Sequence, residues 1–125
     1  AKPAAAPARQ VALPLAPAGA GVSMQVAVDQ TDFEFAYYLQ AVRTAIGQAW
    51  AAPAGAASGA RCTVYFRIGR DGSIEAVRLE AGSGNGFFDQ AAVRAVVVTA
   101  KLPPLPLGYT GADLGIHLDF VYTGP

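Results

Sequence analysis

The amino-acid sequence predicts an α+β fold, in which a three-stranded antiparallel sheet carries two helices on one of its faces. Two alternating segments joined by an Asp-Gly turn predict a hairpin, and a third alternating segment follows a second helix. A right-handed crossover through that helix returns the last strand beside the first, which gives the strand order 2-1-3. The sequence pattern also allows one extra strand on the N-terminal side of the domain.

Length and composition limit the chain to the functions of one small domain. It has 125 residues, nine basic and nine acidic side chains, one Cys and one His. A two-domain enzyme is excluded by this length. A formal net charge of zero argues against nucleic-acid binding, which depends on neutralising phosphates. One Cys and one His cannot form an intramolecular disulfide or complete a zinc site, so we expect no metal and no cofactor.

Residues 1–21 are expected to be a disordered Pro/Ala-rich linker, and residues 22–125 to be the folded domain. The first 21 residues contain Pro3, Pro7, Pro14 and Pro17, mostly among alanines, and bury too little surface to offset the entropy of ordering. The chain from residue 10 to residue 28 carries no charge, but prolines and glycines interrupt it. We therefore interpret this stretch as a linker and not as a membrane span.

The first part of the domain contains the optional strand and the first helix. Residues 22–28 alternate apolar with polar or small side chains, which is typical of a half-buried strand. Thr31 and Glu34 have the spacing of a capping box, with Asp32 as a competing N-cap, and Pro53 follows the end of the helix. The apolar stripe of this helix consists of Phe35, Leu39, Val42, Ile46 and Trp50.

The hairpin is the clearest local signal in the chain. Residues 61–68 alternate, and the turn Arg70-Asp71-Gly72-Ser73 follows them. Glycine accepts a positive φ at no steric cost, which favours a tight turn at this point. The second strand covers residues 74–80, where the apolar positions break alternation by one residue and so predict a bulge or a change of face. The inward side chains expected on the first strand are Cys62, Val64, Phe66 and Ile68.

A second helix and a last strand complete the domain. Ser83 or Asn85 is available to cap the helix, and Pro103-Pro104 requires it to end near Lys101. The buried face of the helix is expected to consist of Phe88, Ala92, Val93, Val96, Val97 and Ala100. The inward side chains of the last strand are expected to be Leu114, Ile116, Leu118, Phe120 and Tyr122.

No residue pattern in the chain indicates an enzyme. The Gly-rich loop at residues 82–86 lacks the Gly-Lys-Ser/Thr of a phosphate-binding loop, and Phe87 stands where the dinucleotide fingerprint requires glycine. Ser83, His117 and Asp119 lack the sequence context of a nucleophile with its base and orienting group. We therefore interpret His117 as an exposed side chain on a strand.

Five segments of the chain stand in a fairly specific order and spacing: YYLQAVRTAIGQAW, CTVYFRIGRDGSIEAVRLEAGSG, FFDQAAVRAV, KLPPLP and LGIHLDF. Together they resemble the C-terminal periplasmic domain of the TonB/TolA family of energy transducers, and the resemblance covers residues 33–122. It implies a non-enzymatic protein that is tethered to the inner membrane in its full-length form, with residues 1–21 as a periplasmic linker. Some TolA domains pair the strand cysteine with a second one. Asp89 occupies the matching region here, so Cys62 is expected to be a free thiol.

The resemblance also implies the partners. Such proteins couple an inner-membrane proton-channel complex to an outer-membrane transporter or a Tol/Pal-type envelope protein, and TonB domains recruit an extended peptide as an added strand. The last strand is therefore expected to be a free sheet edge that accepts a partner strand. The residues expected to bind the partner are Leu114, Gly115, Ile116, His117, Leu118, Asp119, Phe120 and Val121.

Two questions stay open from the sequence. Residues 22–28 either cover the last strand in a monomer or pair with a neighbouring molecule in a strand-paired dimer. The domain is either an energy transducer or a structural adaptor of the same fold in a secretion, motility or cell-division envelope complex, because a fold does not fix a function. The residues do not distinguish the TonB branch from the TolA branch.

Overall fold

The structure, a computed structural model, describes residues 10–29, 35–55 and 58–123. These residues form one α+β unit of five strands and two helices. The elements are β1 (Gln10–Gly19), β2 (Val22–Val28), α1 (Ala36–Ala49), β3 (Arg61–Gly69), β4 (Ile74–Ala81), α2 (Gly86–Thr99) and β5 (Asp113–Tyr122).

The five strands form one antiparallel sheet in the order β1-β2-β5-β3-β4. The predicted α+β class is confirmed, and the predicted order 2-1-3 is present as the β4-β3-β5 part of the sheet. The sheet has two strands more than the three predicted. One of them, β2, is the optional N-terminal strand, and it pairs with β5 of the same chain.

The first strand, β1, corrects the predicted linker. Residues 10–19 form a strand that pairs with β2, and Gly21 adopts a φ of 71° in the turn that joins the two strands. The side chain of Leu13 is buried in the core. Backbone pairing and packing against the rest of the domain offset the ordering entropy here, and composition alone does not reveal such non-local contacts. Residues 1–9 lie outside the described part of the chain.

The position of β5 corrects the predicted free edge. This strand lies in the middle of the sheet, with β2 on one side and β3 on the other. Seven consecutive residue pairs join it to β2, from Val22 with Tyr122 to Val28 with Ile116. The local alternation of β5 is the same for a central strand as for an edge strand, so the pattern could not identify its neighbours.

The first helix follows the predicted apolar stripe. The carbonyl oxygen of Phe35 accepts hydrogen bonds from the N–H groups of Tyr38 at 2.9 Å and Leu39 at 3.3 Å, which starts the helix. The predicted capping residues 31–34 lie outside the described residues. The buried side chains of the stripe are Leu39, Val42, Ile46 and Trp50.

The predicted hairpin is confirmed in its turn and in its irregularity. Gly72 adopts a φ of 90° in the turn between β3 and β4. Ala76 adopts a φ of 56°, and the β3–β4 register shifts between the pairs that involve Tyr65 and Arg67. This is the bulge that the broken alternation predicts. The predicted inward side chains of β3 are all buried.

The second helix is capped as predicted but buries a narrower face. The Asn85 side chain accepts hydrogen bonds from the N–H groups of Phe87 at 2.9 Å and Phe88 at 3.2 Å. Val97 and Ala100 were expected in the core, but both are exposed, and Ala100 has left the helix with a φ of 60°. Val97 is 56% exposed, so this side of α2 is only partly covered by described residues.

Both helices pack on the same face of the sheet, and aromatic rings join the layers. The Trp50 ring lies 5.7 Å from the Phe88 ring of α2 and 5.8 Å from the Phe120 ring of β5, measured between centroids. Such aromatic pairs contribute about 0.5–1.5 kcal/mol beyond the area that they bury. Trp50 therefore connects the end of α1 to both α2 and the central strand.

Helix α1 also anchors the hairpin formed by β1 and β2. A guanidinium N–H of the buried Arg43 donates to the carbonyl oxygens of Pro14 at 2.8 Å and Met24 at 3.1 Å. The indole N–H of Trp50 donates to the carbonyl oxygen of Ala20 at 2.9 Å. These contacts hold both strands and the turn between them. The β1–β2 hairpin is thus held to the rest of the domain by these hydrogen bonds.

A further contact between α1 and β1 depends on a glycine. Gly47 lies against the backbone of Ala18 so closely that a Cβ atom at position 47 would overlap the Ala18 carbonyl oxygen. Gly47→Ala should therefore destabilise the fold by about 1–3 kcal/mol, as overpacking does, although alanine is normally favoured over glycine inside a helix. Urea unfolding measures the change in the free energy of unfolding.

Gly86→Ala is the matched control for this substitution. Gly86 begins α2, and an added Cβ there meets no atom within 4 Å. We expect this control to leave the free energy of unfolding unchanged or slightly higher. If the two alanine variants were equally stable, the proposed close approach of α1 to β1 would be wrong.

Candidate partner-binding site

The two outer strands of the sheet, β1 and β4, are the candidates for binding an extended partner. A strand at a sheet edge presents unpaired N–H and C=O groups, which can pair with another chain. In the described part of the chain, β1 has a neighbour only on its β2 side, and β4 has a neighbouring strand only on its β3 side. The two edges differ in how well they can accept a strand.

The edge of β1 is poorly suited to pairing. Pro14 and Pro17 lie within the strand and have no N–H group to donate. The β1–β2 register also shifts at three places, so the outer side of β1 is irregular. Irregularity and proline are devices that protect sheet edges from pairing.

The edge of β4 is open over its second half and contains no proline, although the β3–β4 register shifts once more there, between the pairs of Leu79 and Ala81. At the start of the strand, the N–H group of Ile74 donates to the carbonyl oxygen of Ala100 at 3.3 Å, and Ser73 forms a bridge with Lys101, so this end is covered. The bulge at Ala76 follows. Residues 77–81 come after the bulge, and no described strand pairs with their outer side. They offer a short open template.

An apolar groove lies beside this open edge. It has a volume of about 820 Å³, and its lining includes Leu79 of β4 together with Phe87, Val97 and Val98 of α2. These four side chains are between 40% and 68% exposed. Leu79 belongs both to the edge strand and to the groove, so the two features form one continuous surface.

The eight residues predicted to bind the partner occupy both faces of β5. Those on the helix side are fully buried in the core, and those on the opposite side pair with β2 and β3 residues in the ladder. The helix-side residues are Leu114, Ile116, Leu118 and Phe120, and the others are Gly115, His117, Asp119 and Val121. Described residues thus pair with residues 115–121 of β5 on both sides, and Leu114 pairs with Ile68 of β3.

His117 corrects the prediction of an exposed side chain. Its imidazole is 3% exposed, with Nε2 at 2.6 Å from Asp29 Oδ1 and Nδ1 at 2.7 Å from Glu80 Oε1. The Tyr65 ring lies 4.9 Å from the imidazole, measured between centroids. Sequence pattern could not find this cluster, because Asp29 and Glu80 lie 88 and 37 residues from His117 along the chain.

The rest of this sheet face is also paired. Asp119 accepts hydrogen bonds from Gln25 Nε2 at 2.9 Å and Thr63 Oγ1 at 2.5 Å. Arg67 Nε donates to Asp113 Oδ2 at 3.0 Å, and this contact is the main cause that raises the pKa of Arg67 and lowers the pKa of Asp113. The face opposite the helices is thus a polar layer with two hydrogen-bonded groups, one around Asp119 and one around Asp29.

The structure gives the Ser, His and Asp side chains separate partners. The Ser83 hydroxyl donates to the carbonyl oxygen of Asn85 at 3.2 Å, at the start of α2. His117 is engaged by carboxylates, and Asp119 by a hydroxyl and an amide. Among the described residues no group of His, Cys, Asp and Glu side chains could hold a metal ion. None of the described helices is both long enough and apolar enough to cross a membrane.

Cys62 is a free, buried thiol, as predicted. Burial is the main cause that raises its pKa to about 12, and the carboxylates of Asp89 and Asp119 raise it further. A thiol reacts as its thiolate, so a raised pKa makes it inert. Cys62 therefore contributes to the core and is not a reactive group.

Alkylation of Cys62 tests this assignment. At pH 8 we expect iodoacetamide to modify the native chain roughly a thousandfold more slowly than the chain in denaturant, because the thiolate fraction is so much smaller. Mass spectrometry measures both rates, and the denatured chain serves as its own control. Comparable rates in the two states would contradict the buried, neutral thiol.

Comparison with known proteins adds a family assignment to this geometry. A sequence model described as the TonB C terminal matches residues 35–120, which is more than half of the chain. No curated protein and no solved structure matches the chain. The matched region begins at Phe35, just before α1, and includes α1, β3, β4, α2 and most of β5. The strands β1 and β2 lie before it.

Proposed function

Because the chain belongs to the TonB C-terminal family, a family of periplasmic interaction domains, we propose that it is the partner-binding domain of a TonB-type energy transducer. In this function the domain couples the proton-motive force of the inner membrane to an outer-membrane protein. In such a transducer, the membrane anchor and the contacts with the proton-channel complex lie outside the partner-binding domain. The partner would attach by adding a strand to an edge of the sheet.

The observation that carries the mode of binding is the open edge of β4 beside an apolar groove. An extended polypeptide can bind to both the open edge of β4 and the apolar groove. Its backbone would pair with residues 77–81, and alternate side chains would enter the groove lined by Leu79 and Val97. Backbone pairing supplies affinity, and the groove supplies specificity.

Strand addition at β5 would first require the removal of β2. The side chains of Val22, Met24, Val26 and Val28 are all at most 1% exposed, and each costs about 1.5–3 kcal/mol to transfer from the core to water. The Arg43 and Trp50 hydrogen bonds to the hairpin would also break. We therefore propose β4, and not residues 114–121, as the strand that receives the partner.

The two faces of an added strand would meet different chemistry. On the helix side, the apolar groove favours aliphatic or aromatic side chains. On the opposite side, Glu75, Arg78 and Glu80 project from β4, and the Arg78 guanidinium lies 4.5 Å from the centroid of the Tyr65 ring. A partner segment that alternates apolar residues with polar or charged residues matches this surface. Its sequence signature is thus a period of two.

Titration of the ¹³C,¹⁵N-labelled chain tests the proposed mode of binding. The probes are synthetic peptides copied from the periplasmic N-terminal segments of outer-membrane transporters and from periplasmic Tol-system proteins. We expect a binding peptide to shift the amide signals of residues 75–81 and the methyl signals of Val97 and Val98. Shifts confined to residues 22–28 and 114–121, or no shift with any of the peptides, would contradict strand addition at β4.

A charge placed in the groove gives a sharper test. Val97→Asp should weaken peptide binding at least about tenfold, because it puts a carboxylate where an apolar side chain would be desolvated. Leu107→Asp is the matched control, since Leu107 is 95% exposed and does not line the groove. Both variants should unfold at the same urea concentration as the parent chain. Equal binding by the two variants would exclude the groove from the site.

A further inference from the structure

We infer that His117, Asp29 and Glu80 form a proton-dependent clamp that holds the C-terminal end of β2 to the sheet. Asp29 directly follows β2, Glu80 lies on β4 and His117 lies on β5 between them. The imidazole reaches one carboxylate with each ring nitrogen, at 2.6 Å and 2.7 Å. The His117 side chain therefore connects the end of β2, on one side of β5, to β4, on the other side.

With both carboxylates ionised, the geometry requires two N–H groups on the ring. An ionised carboxylate only accepts hydrogen bonds, and a neutral imidazole has one N–H and one lone pair. With a neutral ring, one carboxylate oxygen would face a nitrogen lone pair at less than 3 Å. With an imidazolium, both contacts are charge-assisted hydrogen bonds, which are the stronger kind. The arrangement is complete only when His117 is protonated.

Water has little access to replace a lost contact. The His117 side chain is 3% exposed, whereas the Asp29 and Glu80 side chains are 24% and 34% exposed. The Tyr65 ring of β3 covers the imidazole at 4.9 Å between centroids. When the ring loses its proton, the carboxylates can turn towards solvent but the imidazole cannot. Deprotonation would thus open the clamp.

Other polar and charged groups around the ring hold the Asp29 carboxylate in place. The Tyr65 hydroxyl donates to Asp29 Oδ2 at 3.1 Å, and Arg67 Nη1 lies 4.0 Å from the same oxygen. Arg67 also donates to the Tyr65 hydroxyl at 2.7 Å. Arg78 of β4 lies over the other side of this layer, at 4.5 Å from the Tyr65 ring centroid. The remaining carboxylates on this face are Glu75, which is paired with Arg67 in the β3–β4 ladder, and Asp113 and Asp119, whose partners are given above.

Gly115 supports the clamp by leaving room for it. A Cβ atom at position 115 would overlap Asp29 Oδ2 and would lie 2.7 Å from the Tyr65 hydroxyl oxygen. The Asp29 N–H donates to the Gly115 carbonyl oxygen at 3.2 Å, which extends the β2–β5 ladder by one contact. The carboxylate of Asp29 can reach His117 because residue 115 has no side chain.

The direction of the pH effect follows from the charge state. The clamp stabilises the folded chain when His117 is protonated and both carboxylates are ionised, so on the alkaline side its contribution is lost as the pH rises and the folded imidazole deprotonates. The end of β2 would then be less firmly held on β5. This inference rests on the cluster alone and is independent of partner binding at β4.

The chain has one histidine, which makes the experiment direct. In the ¹⁵N-labelled chain, long-range ¹H–¹⁵N NMR spectra distinguish a doubly protonated ring from either neutral tautomer. We expect the His117 ring to be doubly protonated at pH 6. We also expect the equilibrium constant for unfolding in urea to rise roughly tenfold between pH 6 and pH 8, since a single histidine with an unfolded-state pKa of about 6.5 can change it by at most about 25-fold over this range.

Glu80→Gln and Glu75→Gln form the matched pair of variants. A glutamine at position 80 can donate an N–H to the unprotonated ring nitrogen. The ratio of the unfolding constant at pH 8 to that at pH 6 should therefore be at least about threefold smaller in Glu80→Gln than in the parent chain. Glu75 lies on the same strand and is not bonded to His117, so its variant should keep the parent's pH dependence. A neutral His117 ring at pH 6, or the same pH dependence in all three chains, would overturn the inference.

Discussion

The pairing of β2 with β5 is the constraint on which the rest of the structure depends. It is unbroken over seven residue pairs, and it makes β5 the central strand of a five-stranded sheet. Every inward side chain of β2 enters the core. Other contacts support this pairing. Arg43 and Trp50 anchor the hairpin to α1, and Gly47 allows α1 to approach β1. Asp29 joins the end of β2 to the polar layer on the face opposite the helices.

This constraint changes where a partner can bind. The family to which the chain belongs is one of periplasmic interaction domains, and an added strand needs a row of unpaired backbone groups. In this chain its own N-terminal hairpin covers one side of β5, and proline and register shifts protect the outer side of β1. The open backbone and the exposed apolar side chains coincide at residues 77–81 and the neighbouring part of α2. Partner binding is therefore proposed for the opposite edge of the sheet from the one that the resemblance implies.

The sequence correctly predicted the turn, the helix cap and the helix stripe that depend only on residues close together in the chain. The Asp71-Gly72 turn, the Asn85 cap and the stripe of α1 depend on residues a few positions apart. The predicted linker was wrong at β1 because this strand is held by β2 and by α1, and its own alanines and prolines carry no strand signal. The burial of His117 and the exposure of Val97 depend in the same way on residues distant in sequence. The free edge predicted for β5 was wrong because alternation in a strand does not reveal which strands lie beside it.

Amide hydrogen exchange of β5 tests the central claim most directly. The N–H groups of this strand point alternately towards β2 and towards β3, so NMR can follow the two sets separately. A stably covered β5 predicts slow exchange in both sets, at least about a hundredfold slower than the outward N–H groups of residues 77–81. If the set that faces β2 exchanged as fast as the outward groups of β4 while the set that faces β3 stayed protected, the hairpin would leave β5 readily and the account would be wrong.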